Sequence, residues 1–238
     1  MVEIKGLEKS FGKLKVLRGV DLSIHKGKLT AILGPNASGK TTVIKSILGL
    51  VIPDKGEILV EENSVRGNWT YRNSISYMPQ IAKFPENLTI RELINMLKDI
   101  RGNNGSADPY LEMFELQSVL KQSLRNLSGG TRQKVNAVMA LMFDAPLLIM
   151  DEPTSGLDPV SLIKLKEHIV KERVRGKTIL LTTHIMGLVE ELADEIVFLL
   201  EGKIYFLGTL EQLRNSYHEE KAERAIAKMM EQSLTSKT

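Results

Sequence analysis

The sequence predicts an α/β fold with a central, mostly parallel sheet, an N-terminal antiparallel β subdomain and an inserted α-helical subdomain. Three observations predict it. Short alternating stretches such as residues 20–24 favour paired strands near the N-terminus. Continuous apolar runs such as residues 147–150 suit parallel strands that are buried on both faces. Between them, the pattern of residues 88–142 is helical almost throughout.

Length and composition limit the domain organisation and the partners. A chain of 238 residues suits one large α/β domain or a core with an inserted subdomain. The net charge of +3 is too balanced to indicate a nucleic-acid partner. Without cysteine there is neither a disulfide framework nor a thiolate metal site. The chain has no apolar run near the ~20 residues that cross a bilayer, and no signal peptide, so we expect it in the cytoplasm.

Turn residues and apolar runs divide the chain into elements. Residues 61–73 are polar and are predicted as a loop, and Glu201-Gly202 indicates a hairpin turn. Strands are predicted at residues 2–5, 20–24, 28–33, 57–60, 75–78, 147–150, 178–182, 195–199 and 203–206.

The helical stretches have recognisable starts. Thr89 has the character of an N-cap before an amphipathic helix, and Asp108-Pro109 should cap the next one. Near the C-terminus, an apolar stripe at helical spacing most simply packs on the body, with a partner contact as the alternative. The stripe consists of Ala222, Ala225, Ile226, Met229 and Met230.

Residues 34–42 match the phosphate-binding pattern G-x-x-x-x-G-K-[ST]. They lie between a predicted buried strand and the first turns of a helix, which is the context that the pattern requires. Backbone N–H groups and the positive helix end would surround a phosphate chain, with Lys40 on the β- and γ-phosphates and Thr41 on Mg²⁺. The alternative is a glycine turn that happens to precede a helix. The segment consists of Gly34, Pro35, Asn36, Ala37, Ser38, Gly39, Lys40, Thr41 and Thr42.

A second motif ends the apolar run 147–150 with two adjacent carboxylates, Asp151 and Glu152. Ligands of parallel α/β sheets gather at the carboxyl ends of the strands. Asp151 would share Mg²⁺ with Thr41, and Glu152 would orient or deprotonate a water aimed at the γ-phosphate. The alternative is an ordinary acidic turn. Together with the loop at Gly34, the pair predicts a P-loop NTPase core.

A third motif, Ser128-Gly129-Gly130, opens an amphipathic helix. Free N–H groups at a helix N-terminus form a second possible anion site. Taken alone, the segment would be a helix cap with a flexible lead-in.

The order of these motifs resembles the ATP-binding subunits of ATP-binding-cassette (ABC) transporters over nearly the full chain. Residues 34–42 resemble the Walker A segment, 127–133 the signature segment, 147–152 Walker B and 155–158 the D-loop. The resemblance implies one ATPase domain over 1–238. It would comprise an ATP-binding core (1–86 and 145–208), a helical signature subdomain (87–144) and a C-terminal helical tail (209–238).

The resemblance also assigns roles that spacing alone does not. It implies that Phe11 stacks on adenine, that Gln80 touches Mg²⁺ or the attacking water, and that His184 contacts the γ-phosphate. Taken alone, Phe11 would be a turn aromatic and His184 a structural histidine. Asp158 is expected at the interface of an ATP-bound homodimer. The other histidines, His25, His168 and His218, are predicted to lie on the surface.

In this family, two subunits pair head to tail, and Ser128–Gly130 of one closes on the ATP held by the other. The implied cofactors are ATP and Mg²⁺, and the implied partner is an integral-membrane permease, which puts the subunit on the inner face of the cell membrane. Two residues depart from the common family pattern: Ala37 stands where many members have glycine, and Thr131 replaces a glutamine. Neither change removes a group that touches phosphate or metal.

Within the family, the short helical subdomain and the absence of a long accessory domain resemble ATPases of ABC-2 type exporters. Residues 74–86, 127–143, 155–166 and 193–208 resemble the ATPase subunit of the nitrous oxide reductase maturation transporter, a copper-processing system. A soluble, non-transport ABC ATPase is an alternative, although such proteins usually carry two cassettes or a long coiled coil. A P-loop GTPase is disfavoured because the chain has no Asn-Lys-x-Asp guanine reader.

Overall fold

The computed structural model describes residues 1–102 and 104–235, with side chains as far as residue 231. The strands are β1 (Val2–Phe11), β2 (Leu14–Ile24), β3 (Leu29–Leu33), β4 (Lys55–Val60), β5 (Asn63–Ser64), β6 (Ile75–Met78), β7 (Leu147–Asp151), β8 (Thr178–Thr183), β9 (Glu195–Leu200) and β10 (Lys203–Gly208). The helices are α1 (Lys40–Ile47), α2 (Ile90–Ile100), α3 (Asp108–Met113), α4 (Gly129–Leu141), α5 (Pro159–Val174), α6 (Met186–Leu192), α7 (Leu210–Tyr217) and α8 (Ala222–Thr235).

Two sheets organise the strands. A four-stranded antiparallel sheet has the order β2-β1-β4-β5, and a six-stranded sheet has the order β10-β9-β3-β8-β7-β6. In the larger sheet the neighbours from β9 to β6 run parallel, and only the β9–β10 pair is antiparallel. The predicted fold class, an antiparallel N-terminal sheet beside a mostly parallel one, is therefore the fold that forms.

The central strands β3, β7 and β8 are buried along their whole length because both faces of the larger sheet are covered. Successive side chains of β7 alternate between two separate cores: Leu148 and Met150 belong to one, and Leu147 and Ile149 to the other. The first core lies against helices α2 to α8, and the second against α1 and the antiparallel sheet. This sandwich fixes the carboxyl ends of β3, β7 and β8 along one edge of the sheet.

The segment between β6 and β7 is helical, as predicted. Thr89 is the N-cap of α2 in a reciprocal capping box with Glu92, whose carboxylate accepts from the Thr89 N–H at 2.8 Å. The prediction for the next helix needs a small correction, since Ala107 is the N-cap of α3 and Asp108 is already its first residue. Aspartate is favourable there as well, because a negative charge in the first turn complements the helix dipole.

The loop predicted over residues 61–73 contains the two-residue strand β5, which pairs with β4, and a 3-10 turn over Thr70–Ser74. At the C-terminus, the predicted apolar stripe packs on the body: Ala222, Ala225 and Met229 are buried in the helix-side core. Within the residues described, no helix is both long and apolar enough to cross a lipid bilayer.

Candidate functional site

The phosphate-binding loop connects β3 to α1 and is stabilised by contacts with its own chain. Gly39, with φ 110°, is the N-cap of α1, and the Ser38 N–H donates to the Pro35 carbonyl at 3.3 Å. Gly34 lies so close to β9 that a Cβ on it would sit 2.1 Å from the Leu199 carbonyl oxygen. Only glycine leaves that space free, so the entry of the loop is held directly against the sheet.

The turn between β9 and β10 supports the other side of the loop. The Gly202 N–H donates to the Ser38 carbonyl at 3.1 Å, and the Gly202 carbonyl accepts from the Arg18 N–H at 2.9 Å. This links the loop to the antiparallel sheet through β2. The tip is the exposed part, formed by Pro35, Asn36 and Ala37, whereas Thr41 and Thr42 are partly buried in the first turn of α1.

Ala37 adopts a left-handed backbone conformation, with φ 63°. A side chain in this region costs about 1–2 kcal/mol relative to the right-handed region. The position that the sequence pattern leaves free therefore has the geometry for which glycine is the easier residue. The chain tolerates the strain with alanine, which has the smallest side chain that can cause it.

Lys40 is buried, and its ammonium donates to the carbonyls of Gly34 at 2.7 Å and Pro35 at 3.1 Å. Its Nζ lies 3.9 Å from Oε1 of Glu152. Burial lowers the pKa of Lys40 from its ordinary value, while the carboxylates of Glu152 and Asp151 oppose the shift. The ammonium thus lies between the loop and the acidic pair at the end of β7.

Asp151 and Glu152 are almost fully buried where β7 ends. The Thr182 hydroxyl, at the same edge on β8, donates to Oδ1 of Asp151 at 2.5 Å, and the Glu152 N–H donates to the Thr182 carbonyl at 3.1 Å. Glu152 has a positive φ of 49°. This left-handed turn directs Glu152 away from Asp151, so the two adjacent carboxylates serve different places.

His184 follows β8, and its Nδ1 lies 3.0 Å from Oε2 of Glu152. One oxygen of Glu152 therefore faces Lys40 and the other faces His184. The His184 side chain is 56% exposed, whereas that of Glu152 is 5% exposed. The histidine thus covers the carboxylate from the solvent side, at the position from which a bound substrate would be reached.

The donor set also fits Mg²⁺, which prefers carboxylate, hydroxyl and water oxygens. The Asp151 carboxylate is buried at the end of β7 with Oδ1 held by Thr182, and Thr41 follows Lys40 on α1. Hard oxygen ligands of this kind suit a small divalent cation bound through one carboxylate and the substrate phosphates.

Two further predicted residues lie on neighbouring segments. Phe11 ends β1 with 52% of its surface exposed, and the Lys9 ammonium lies 5.4 Å from its ring centroid. Gln80 follows β6 and is exposed. In the part of the chain that the structure describes, neither shares a hydrogen bond with Lys40 or Glu152. The cluster that the structure brings together is formed by the loop, Asp151, Glu152 and His184.

Ser128-Gly129-Gly130 begins α4, in the helical segment. The Ser128 Oγ accepts from the Thr131 N–H at 3.2 Å and lies 2.9 Å from the Thr131 hydroxyl. Ser128 is thus the N-cap, and the three residues expose a helix N-terminus toward solvent. Thr131, which differs from the common family residue, supports this cap with its own side chain.

Asp158 forms an ionic contact that sequence patterns did not reveal. It is the N-cap of α5, with Oδ1 accepting from the Ser161 N–H at 2.9 Å, and its Oδ2 lies 2.8 Å from the Lys134 ammonium of α4. The hydrogen bond from Lys134 is the main reason why the pKa of the Asp158 carboxyl lies far below its ordinary range. Gly130 lies nearby, since a Cβ on it would sit 3.3 Å from the Gly156 carbonyl. The start of α4 and the 155–158 turn therefore form one surface.

A buried amide pair on α4 also escaped the sequence analysis. Asn136 is 1% exposed, and its Nδ2 donates to the Pro79 carbonyl at 2.7 Å and lies 3.3 Å from Oε1 of Gln133. The available signal was two amide side chains three residues apart on the same helix. The sequence could not show that Asn136 contacts the Pro79 carbonyl, because tertiary packing brings the two residues together.

His168 corrects the expectation that the remaining histidines lie on the surface. It is partly buried, with its ring centroid 5.2 Å from that of Tyr110 in an edge-on arrangement. Burial lowers the pKa of His168. His25 and His218 are exposed, as predicted.

Comparisons with known proteins agree with this geometry. A family model described as "ABC transporter" matches residues 17–155. The lantibiotic transport ATP-binding protein SrtF of Streptococcus pyogenes is 36% identical over 210 residues, covering 86% of this chain and 89% of that protein. The Nod factor export ATP-binding protein I of Burkholderia lata is 33% identical over 208 residues, covering 85% of this chain and 68% of that protein.

Two solved structures extend the likeness to the fold. An ATP-binding subunit of an ABC transporter has a TM-score of 0.90 and 30% identity, covering 97% of this chain and 99% of that chain. A dimeric ATP-binding cassette in a post-hydrolysis state, bound to ADP and phosphate, has a TM-score of 0.80 and 25% identity. It covers 88% of this chain and 98% of its own.

Proposed function

This chain belongs to the ABC transporter family as an ATP-binding, ATP-hydrolysing subunit, and we propose that it drives its transporter by ATP-dependent dimerisation. The observation that carries the proposal is the position of the Glu152 carboxylate, with Lys40 on one side and His184 on the other. A carboxylate held in this way faces both the phosphate-binding loop and the solvent side.

Each side chain of this cluster has a chemical task. Lys40 and the N–H groups of residues 34–42 bind the β- and γ-phosphates of ATP, and Thr41 and Asp151 hold Mg²⁺. When bound, Mg²⁺ neutralises charge that develops on the phosphate oxygens. Glu152 orients the attacking water and accepts its proton.

His184 contacts the γ-phosphate and keeps Glu152 in its reactive orientation. The support is the 3.0 Å distance between the His184 Nδ1 and Oε2 of Glu152. Phe11 provides an exposed aromatic face for adenine, and Gln80 contacts Mg²⁺ or the attacking water from the segment after β6. The mechanism thus uses seven side chains from five separate segments. Four of these segments lie at the carboxyl ends of strands of the larger sheet, and the fifth, with Phe11, belongs to the antiparallel sheet.

The second half of the site comes from a second copy of the chain. In the homodimer, the helix N-terminus at Ser128–Gly130 of one subunit closes on the γ-phosphate bound by the other, with Asp158 at the interface. A γ-phosphate between two positive helix ends holds the dimer together, and hydrolysis removes that bridge. The exposed N-terminus of α4 and the dimeric form of the related cassette support this arrangement.

The partner that uses this motion is an integral-membrane permease, with the ATPase in the cytoplasm on the inner face of the membrane. Support comes from the relatives, which are ATP-binding proteins of lantibiotic transport and Nod factor export. Together with the short helical segment between β6 and β7, which resembles that of ATPases of ABC-2 type exporters, they favour an exporter of that type. Maturation of the copper site of nitrous oxide reductase is a second hypothesis, favoured by the four sequence segments that resemble that system's ATPase.

Replacing Glu152 by Gln tests the central step. The amide keeps the size of the side chain but does not accept the proton, so we expect ATP binding to persist, turnover to fall by at least about 10²-fold and an ATP-bound dimer to accumulate. Phosphate release measures turnover, and size-exclusion chromatography with and without ATP measures dimerisation. Glu167→Gln, at an exposed position of α5, is the matched control. Wild-type turnover in Glu152→Gln would refute the proposal.

Co-purification separates the cargo hypotheses. The chain would be tagged and isolated from detergent-solubilised membranes, and its permease identified. A permease encoded beside nitrous oxide reductase genes would favour the copper pathway, and one beside genes for a secreted peptide would favour export. A chain that associates with no membrane protein would contradict both.

A further inference from the structure

The buried amide of Asn136 makes a polar contact between α4 and the segment that follows β6. Its Nδ2 donates to the Pro79 carbonyl at 2.7 Å, and the residue is 1% exposed. Pro79 directly follows β6 and directly precedes Gln80. A neutral hydrogen bond of this length, shielded from water, has a fixed geometry.

The atom that Asn136 holds belongs to the peptide plane that leads into Gln80. The Pro79 carbonyl belongs to the rigid peptide plane that also contains the Gln80 N–H. The proline ring fixes φ of Pro79, so ψ is the torsion that could still turn this carbonyl, and the hydrogen bond from Asn136 restrains it. The backbone entering Gln80 is therefore constrained at both ends, although the Gln80 side chain itself is exposed.

The same helix carries the segment proposed to act on the second ATP. Asn136 lies eight residues after Ser128 in α4, which is about 12 Å along a straight helix. Because a helix moves as a unit over two turns, a displacement at Pro79 is transmitted to Ser128–Gly130. The Gln133 amide adjoins Asn136, and its buried Nε2 has no partner among the residues described.

We propose that Asn136 is a positioning residue for ATP hydrolysis, which fixes the peptide plane of Gln80 and joins it to helix α4. The proposal rests on the proposed function, since it takes Gln80 as a residue that acts at the phosphate. It makes Asn136 a contributor to the rate of hydrolysis without any contact to nucleotide.

The test replaces Asn136 by Ala and measures turnover and ATP affinity separately. Lys40 and the loop keep their contacts, so the Kd for ATP should stay within about twofold, while kcat should fall about tenfold because Gln80 loses its fixed orientation. Asn136→Ser, which retains a shorter donor, should lie between the two. Failure of both variants to fold would assign Asn136 to stability alone and overturn the proposal.

Ser76→Ala is the matched control. Ser76 is buried on β6, and its hydroxyl donates to the Phe143 carbonyl at 3.3 Å. Like the Asn136 bond, this is a hydrogen bond from a side chain to a backbone carbonyl, here between β6 and the segment after α4. It holds no atom next to Gln80. We expect Ser76→Ala to lower the urea midpoint comparably while retaining kcat. An equal fall in kcat for both variants would overturn the positioning role.

A double-mutant cycle with Gln80→Ala completes the test. If Asn136 acts through Gln80, its replacement should change kcat less than about twofold in the Gln80→Ala background. Full additivity of the two effects would overturn this inference alone. Wild-type turnover in Gln80→Ala would overturn the proposed role of Gln80 itself, and the inference with it.

Discussion

Replacing Gly34 by alanine would insert a methyl group into the junction between the phosphate loop and β9. The new Cβ would lie 2.1 Å from the Leu199 carbonyl oxygen and 2.8 Å from the Ser38 Oγ. The carbonyl cannot yield cheaply, because β9 is paired with β3 on one side and with β10 on the other. Reaching the 3.0 Å that real Cβ atoms keep requires a shift of about 0.9 Å, so the loop entry must move.

This shift has two measurable consequences. Overpacking of this kind costs about 1–3 kcal/mol of the free energy of unfolding, which a urea titration measures. A displacement near 1 Å of groups that position a substrate costs up to about 10²-fold in turnover. We therefore expect Gly34→Ala to lower the urea midpoint, weaken ATP binding and nearly abolish hydrolysis.

Gly187 in α6 provides the control. A Cβ on Gly187 meets nothing within 4 Å, and its φ is not positive. Because alanine favours helices over glycine by about 1 kcal/mol, Gly187→Ala should be neutral or stabilising and should retain turnover. Gly34→Ala with wild-type stability and ATP affinity would refute the argument that the loop entry is held against Leu199.

Two further predictions follow from backbone strain and from a buried imidazole. Ala37→Gly relieves the strain at φ 63° but adds chain entropy to the unfolded state, so its free energy of unfolding should stay within about 1 kcal/mol of that of the wild type. Ala37→Val should lower the free energy of unfolding by more than about 1 kcal/mol, because a β-branched side chain is more strained there. Equal urea midpoints for both variants would contradict this prediction. Burial lowers the pKa of His168 in the folded protein, so the imidazole binds a proton more readily in the unfolded chain than in the folded one. Stability should therefore fall as the pH drops through about 6.5, and His168→Phe should weaken this dependence while His218→Phe, at an exposed position, should not. Unfolding curves at pH 7.5 and 5.5 provide the measurement, and parallel pH dependence in His168→Phe and wild type would exclude the explanation.

Local signals explain why much of the fold was predictable. The strand predicted at residues 75–78 forms with those bounds, because its apolar residues lie between clear turn signals. Thr89 was identified as an N-cap because capping involves residues three positions apart. The two-residue strand β5 was missed, since a pair as short as Asn63–Ser64 has no periodicity and depends on its neighbour β4.

The site was predictable in composition but not in its contacts. The loop pattern specifies Lys40 and leaves position 37 free, so the left-handed conformation of Ala37 emerges only from the structure. Likewise, the sequence did not predict the ion pair between Lys134 and Asp158 or the hydrogen bond from Asn136 to the Pro79 carbonyl. These contacts join residues far apart in the chain, and packing of α4 against the sheet decides which of them meet.

The exposed ring of Phe11 has a consequence for base selectivity. This exposed ring, with the Lys9 ammonium 5.4 Å from its centroid, has no polar group of its own, so it would attract the π surface of a nucleobase without reading its hydrogen-bonding edge. Stacking of this kind tolerates every base. A stacking site built on Phe11 would therefore discriminate weakly between purine nucleoside triphosphates. The protein would use mainly ATP because ATP is the most abundant of them in the cell.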